Sequence, residues 1–176
     1  MSAVEAAQLV FLDETSTPLT MTPRMARAPR GERAVGKPPQ GRREAITLVA
    51  TVSAAGMGPA MTVPGALDRI GFETFVTQCL LPTLQPGQTV LLDNINVHKS
   101  AAVRQQIEAA GCTLCFLPRY SPDFNPIEMA FSKLKTRLRR CQARTMETLI
   151  NATAEALSLI TPDDIRGYFG QAGYQL

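Results

Sequence analysis

The run AITLVATVS (45–53) is followed, after AAGMG, by PAMTVPG (59–65), and no other feature constrains the fold as strongly. Two β-rich runs joined by a short glycine-containing turn pair as an antiparallel hairpin. The sheet they belong to therefore cannot be purely parallel. Upstream, QLVFLDE (8–14) is an apolar run closing on two acids, which predicts a strand with its carboxylates at the C-terminal end. Downstream, strands and helices alternate. Over 71–84, Phe72, Phe75, Val76, Cys79 and Leu80 recur at three-and-four spacing, predicting a helix. QTVLLDN (88–94), after the Pro86-Gly87 turn, reads as a short buried strand ending in an acid. SAAVRQQIEAAG (100–111) opens on a Ser cap and closes on Gly, a helix signature, and TLCFLP (113–118) is the next strand. Ile127, Phe131, Leu134 and Leu138 form an apolar stripe over a helix at 126–141; a second amphipathic helix follows at 145–160, and TPDDIRGYFGQAGY makes a short closing one. The predicted architecture is α/β, a mixed central sheet flanked by helices, in one domain over 1–176.

Between the first strand and the hairpin, residues 15–44 carry Pro18, Pro23, Pro29, Pro38 and Pro39 with Gly31, Gly36 and Gly41, which predicts a long loop. Loops of this length inside a compact domain are usually functional. This one is basic: Arg24, Arg27, Arg30, Arg33, Lys37, Arg42 and Arg43 stand against a single acid, Glu32. A second cluster holds Lys133, Lys135, Arg137, Arg139 and Arg140, so two short segments carry twelve of the 18 basic residues although the net charge is only +3. Clustering of this kind is the footprint of a phosphate-backbone binder, with a solvated helix face and a basic loop as the bland alternative.

Other functional classes are disfavoured. There is no apolar run of about 18 residues and no charged-then-apolar leader, so a soluble intracellular protein with no membrane partner is expected. Cys112 and Cys115 form a lone C-x-x-C without a second pair or a neighbouring histidine, and three-residue spacing on a strand sends the two thiols to opposite faces. With Cys79 and Cys141 in helical patterns, no disulfide framework is indicated.

Three acids stand out. Asp13 and Asp93 close buried strands, and Glu128 falls in the first turn of the helix that begins in NPIE (125–128). Asn125 can cap that helix, Pro126 suits its first position, and Glu128 can close back on the cap amide as a variant capping box. If the Asp13 and Asp93 strands are neighbours, their carboxylates meet at one sheet edge, and a helix crossing there brings Glu128 to the same point. Convergent carboxylates need a cation, and all-oxygen ligation favours magnesium or manganese. Two such ions about 3.5–4 Å apart would clamp the attacking and leaving oxygens of an in-line displacement at a phosphodiester. Glu14 alternates to the other side of its strand, and Asp123 reads as a turn residue. His98, the single histidine, and Lys99 are placed to touch DNA phosphate or to support the acids; helix entry is the alternative.

Asp13, Asp93 and Glu128, with 34 residues between the last two, resemble the Asp-Asp-Glu triad of bacterial insertion-sequence transposases of the branch related to mariner elements. VFLDET, RAPRGERAVGKPPQG, LLDNINVHKS and LPRYSPDFNPIEMAFSKLK carry the resemblance along most of the chain. It implies a ribonuclease-H-like fold, and magnesium-dependent cutting and joining of double-stranded DNA at transposon ends and target. It assigns the catalytic and metal-binding roles to Asp13, Asp93 and Glu128. A homodimer on DNA, associated with the nucleoid when bound, is the expected assembly. Such families carry an N-terminal helix-turn-helix that reads the terminal repeats; Asp13 comes too early for one, so a catalytic domain alone is expected. The rival readings are a hydrolytic nuclease of the same fold, which cuts without joining, and a decayed or domesticated copy that binds DNA without cutting.

Overall fold

The computed structural model describes residues 5–36, 39, 44–93, 100–118 and 121–176. Its strands are β1 (Leu9–Pro18), β2 (Ala45–Ser53), β3 (Gly56–Pro64), β4 (Thr89–Leu92) and β5 (Thr113–Phe116). They form one five-stranded sheet in the order β3-β2-β1-β4-β5. β1 is antiparallel to β2 and parallel to β4, β2 is antiparallel to β3, and β4 is parallel to β5. The mixed sheet is as expected from the hairpin and the strand–helix alternation after it. The hairpin turn is tighter than AAGMG suggests, because Ser53 already pairs with Gly56 and leaves only Ala54 and Ala55 between the strands. Gly56 supports that reversal at φ +133°, which side chains disfavour.

β1 is longer than expected. It does not stop at Glu14 but runs on to Pro18, because β2 continues to pair with it from Val10↔Ser53 to Pro18↔Ala45. Residues 15–18 therefore belong to the sheet and not to the basic loop. Leu19 N–H still donates to the Glu44 carbonyl, which holds the two ends of the loop together. Arg144, from the junction between the last long helices, donates through Nη1 to the carbonyls of Leu19 and Met21. These bonds fix where the loop leaves the sheet.

Helix α1 (Arg69–Phe75) continues through a π-helical stretch, Val76–Leu80, and a 3-10 turn, Leu81–Thr83; α2 is Ala101–Ala109. α3 (Pro126–Cys141), α4 (Met146–Ser158) and α5 (Pro162–Gln171) close the chain. The predicted helices are all present, with ends set by caps. The Asp68 and Ser100 side chains accept from Gly71 and Val103 amides, and Thr145 and Thr161 build reciprocal capping boxes. Among the described residues no helix is long and apolar enough to cross a membrane.

Alternation along the strands divides the apolar side chains between two faces. Leu9 and Phe11 of β1, with Ile46, Leu48, Ala50 and Val52 of β2, pack under α3, α4 and α5. Val10, Leu12, Val49, Val90 and Leu92 pack against α1, its π-helical continuation and α2. The stripe read from the sequence, Ile127, Phe131, Leu134 and Leu138, is the buried side of α3. Asp13 continues the Leu9–Phe11 series, so it faces α3. The C-terminal residues reinforce this side: Tyr174 packs edge-on against Phe11 (5.2 Å) and Phe169 (6.0 Å), and its hydroxyl donates to the Phe124 carbonyl at 2.9 Å. Phe124 ends the 3-10 turn (Pro122–Phe124) that leads into α3. Phe131, 1% exposed, is the largest side chain fastening α3 to the sheet. Phe131→Ala is expected to cost about 3–5 kcal/mol in urea-induced unfolding.

Candidate active site

The parallel ladder between β1 and β4 ends at the pair Leu12↔Leu92. Asp13 and Asp93 are the next residues on the two strands, so the expected neighbouring of the acidic strand ends is met. Asp13 is not at a strand end, however. It is paired with Ala50 on the β2 side and is 7% exposed, whereas Asp93 is half-buried just beyond β4. Glu128 lies in the first turn of α3, exposed, where the positive end of the helix dipole favours an acid.

Asn125 at the head of α3 departs from the capping expectation. Its side chain makes no cap hydrogen bond. Instead Nδ2 donates to Asp13 Oδ2 at 2.8 Å, in a buried contact bridging positions far apart in the chain. The Glu14 backbone N–H donates to Asp13 Oδ1 at 2.7 Å, so each carboxylate oxygen has a fixed donor. The Asn125 amide oxygen is buried and, among the described residues, has no hydrogen-bond partner. Sequence reasoning missed this contact, because Asn before Pro at a helix start is an ordinary cap signal.

The Asp13 carboxyl is pushed up to about 7 from a usual value of 3.8. Burial is the largest cause; the Glu14 amide opposes it, and the charges of Asp93, Glu128 and Glu14 raise it further. All three predicted acids thus act on one another at Asp13. Among the described residues, though, no three acidic, histidine or cysteine side chains are gathered closely enough to chelate an ion.

The basic residues divide. Arg24, Arg27, Arg30 and Arg33 are exposed along the loop. Lys133 bonds to Asp164 and to the Leu159 carbonyl, and its ammonium holds the Asp164 carboxyl down at about 2. Arg137 pairs with Glu155 at 2.9 Å. These two residues tie α3 to α5 and α4, with both side chains still partly exposed. Lys135 is half-buried on α3. Lys37, Arg42, Arg43, His98 and Lys99 lie outside the described residues. Cys112 is buried and Cys115 exposed, both as free thiols, in accord with opposite faces of a strand.

A mixed five-stranded sheet with helices on both faces, carrying adjacent aspartates at the end of its parallel ladder, is the ribonuclease-H-like arrangement. Residues 8–150 match the DDE superfamily endonuclease family, and the chain belongs to it. It is 30% identical over 108 residues to the Transposable element Tc1 transposase of Caenorhabditis elegans, across 59% of this chain and 40% of that protein. The structure of the Mos1 transposase paired-end complex with left transposon end superposes at a TM-score of 0.79 with 16% identity, over 95% of this chain and 52% of that one. The catalytic domain of Mos1 mariner transposase gives 0.64 and 15%, over 97% of this chain and 85% of that one. The chain thus spans about two fifths of the Tc1 transposase and about half of the Mos1 chain in the paired-end complex.

Because Asp13 is harder to ionise folded than unfolded, metal-free stability should be greatest below about pH 4 and fall as pH rises toward 7. The penalty reaches the order of 4 kcal/mol. Asp13→Asn should remove it: a higher Tm than wild type at pH 8 without divalent ions, the difference vanishing near pH 4. Melting both proteins across that pH range is the check.

Proposed function

We propose that the chain is the catalytic domain of a transposase, cleaving DNA at transposon ends and joining those ends to a target. The observation that supports the reading is the register of β1 and β4, after whose last rung Asp13 and Asp93 follow on neighbouring strands, with Asp13 bonded to Asn125 at the head of α3 and Glu128 in that helix's first turn. Asp13, Asp93 and Glu128 are the proposed catalytic residues and ligands of magnesium or manganese, two ions in all. The donor set suits such ions: every group is an oxygen, and the mutual repulsion that raises Asp13 is what a divalent cation relieves. Mos1 paired-end complexes with Mn and with Mg are among the structures this fold resembles. Bound there, the ions would lower the pKa of an attacking water or 3′-hydroxyl and stabilise the leaving oxygen.

The chain's own part is placement. The Glu14 amide and Asn125 hold both oxygens of Asp13, and α3 carries Glu128 in the turn that follows Asn125. Arg24, Arg27, Arg30 and Arg33 supply phosphate contacts to duplex DNA, which fix position without reading sequence. Lys37, Arg42, Arg43, His98 and Lys99 are proposed to add to that grip on sequence grounds, as is Lys135. Pairing two transposon ends requires two such sites, so a homodimer on DNA, in the compartment that holds the DNA, is part of the reading.

Asp13→Asn, Asp93→Asn and Glu128→Gln should each lower magnesium-dependent cleavage of an end-containing duplex by about a hundredfold or more, with cooperative unfolding retained. Near-normal cleavage by one variant removes that residue from the site. Supplying a precut end with a target duplex separates transposase from hydrolytic nuclease, since only the former yields joined product. Replacing Arg24, Arg27, Arg30 and Arg33 by Ala should weaken binding alike on all duplex sequences. The slope of log K against log salt should fall by about 0.9 for each phosphate that is no longer neutralised. Weakening confined to one sequence would assign the loop to base readout instead.

A further inference from the structure

Asn125 forgoes what its position offers. A residue of this type at a helix start ordinarily accepts from an amide of the first turn. Here the side chain is buried (4% exposed) and turned away from its own helix to Asp13. The nitrogen-to-carboxylate orientation matches an ionised Asp13, the form that ligates a cation. Turning the amide over would set acceptor against acceptor. What remains is an amide oxygen sealed from bulk solvent, with no donor among the described residues. Buried acceptors are rarely left so, and each one needs a cause. Next to a carboxylate already held at both oxygens, the donor that fits is a water ordered by an ion on Asp13. We propose that Asn125 is a positioning residue of the metal centre: its Nδ2 aims the Asp13 carboxylate at the ion, and its Oδ1 accepts from water held there.

This inference rests on the proposed metal site, and the test separates the two. Ser caps helices as well as Asn does but is too short to reach Asp13. If Asn125 serves only the helix start, Asn125→Ser is neutral for metal binding. If it positions Asp13, the Ser variant still unfolds cooperatively without metal, yet binds Mn2+ at least tenfold more weakly. Binding is read from the loss of the free-ion EPR signal on titrating the metal-free full chain, with Asp93→Asn as control. Weakening by Asp93→Asn together with wild-type affinity in Asn125→Ser overturns the inference and leaves the metal site standing. No Mn2+ binding by wild type, or no weakening in either variant, overturns both. Should Asn125→Ser fail to fold, the wild-type protein decides: the Asn125 side-chain NH2 resonances must shift on adding Mg2+, and unshifted resonances overturn the proposal.

Discussion

Leu12 and Leu92 form the last rung between β1 and β4, and the placement of the acids depends on where that ladder stops. Up to that rung, the alternation of side chains is absorbed by the two apolar layers, with Leu12 and Leu92 in the layer under α1 and α2. One residue further on, the side chain of β1 turns to the α3 layer and is Asp13. Across the ladder, the corresponding residue is Asp93. On its other edge β1 stays bonded to β2 as far as Pro18, so the backbone at Asp13 is held from the β2 side. Among the described residues, a short β4 thus lies beside a long β1, and the two aspartates follow the last rung they share.

Burial and charge pull against each other at that margin. Apolar packing under α3 draws Asp13 into a poorly solvated position, and the acids around it make ionisation harder still. Two hydrogen-bond donors, the Glu14 amide and the Asn125 side chain, offset part of that cost. The rest shows as the raised pKa of Asp13, about 7. The aromatic cluster of Phe11, Phe169 and Tyr174, with the Tyr174 bond to Phe124, ties the head of α3 to the sheet beside Asp13.

Much of this was legible in the sequence wherever a local period or a turn signal carries the information. The hairpin, the alternation of strands and helices and the buried stripe of α3 are properties of neighbouring residues, and so is an acid closing an apolar run. What could not be read were contacts that depend on how elements are rotated against one another. Asn125 looks like a cap because its neighbours are those of a cap; its actual partner lies 112 positions away. Lys133 and Arg137 share a helix face with nothing that marks them off from Lys135, and only the packing of α4 and α5 shows which are paired. Glu14 and Asp13 invited an early strand end, since two acids in sequence resemble an exit from a sheet. The long register with β2 overrode that local cue.

The tethering of the basic loop sets a length scale. Its ends are fixed by the bond from Leu19 to Glu44 and by the Arg144 bonds to the Leu19 and Met21 carbonyls. Between those anchors the residue farthest along the chain, near Arg33, is about a dozen residues from either one. Fully extended backbone covers at most about 3.3–3.6 Å per residue, so that tip can stand no more than roughly 40 Å from the sheet. Along B-DNA, at about 3.4 Å per base pair, this corresponds to roughly one helical turn. On the proposed reading the arginines could follow a single turn of duplex, and a longer duplex would need some other surface.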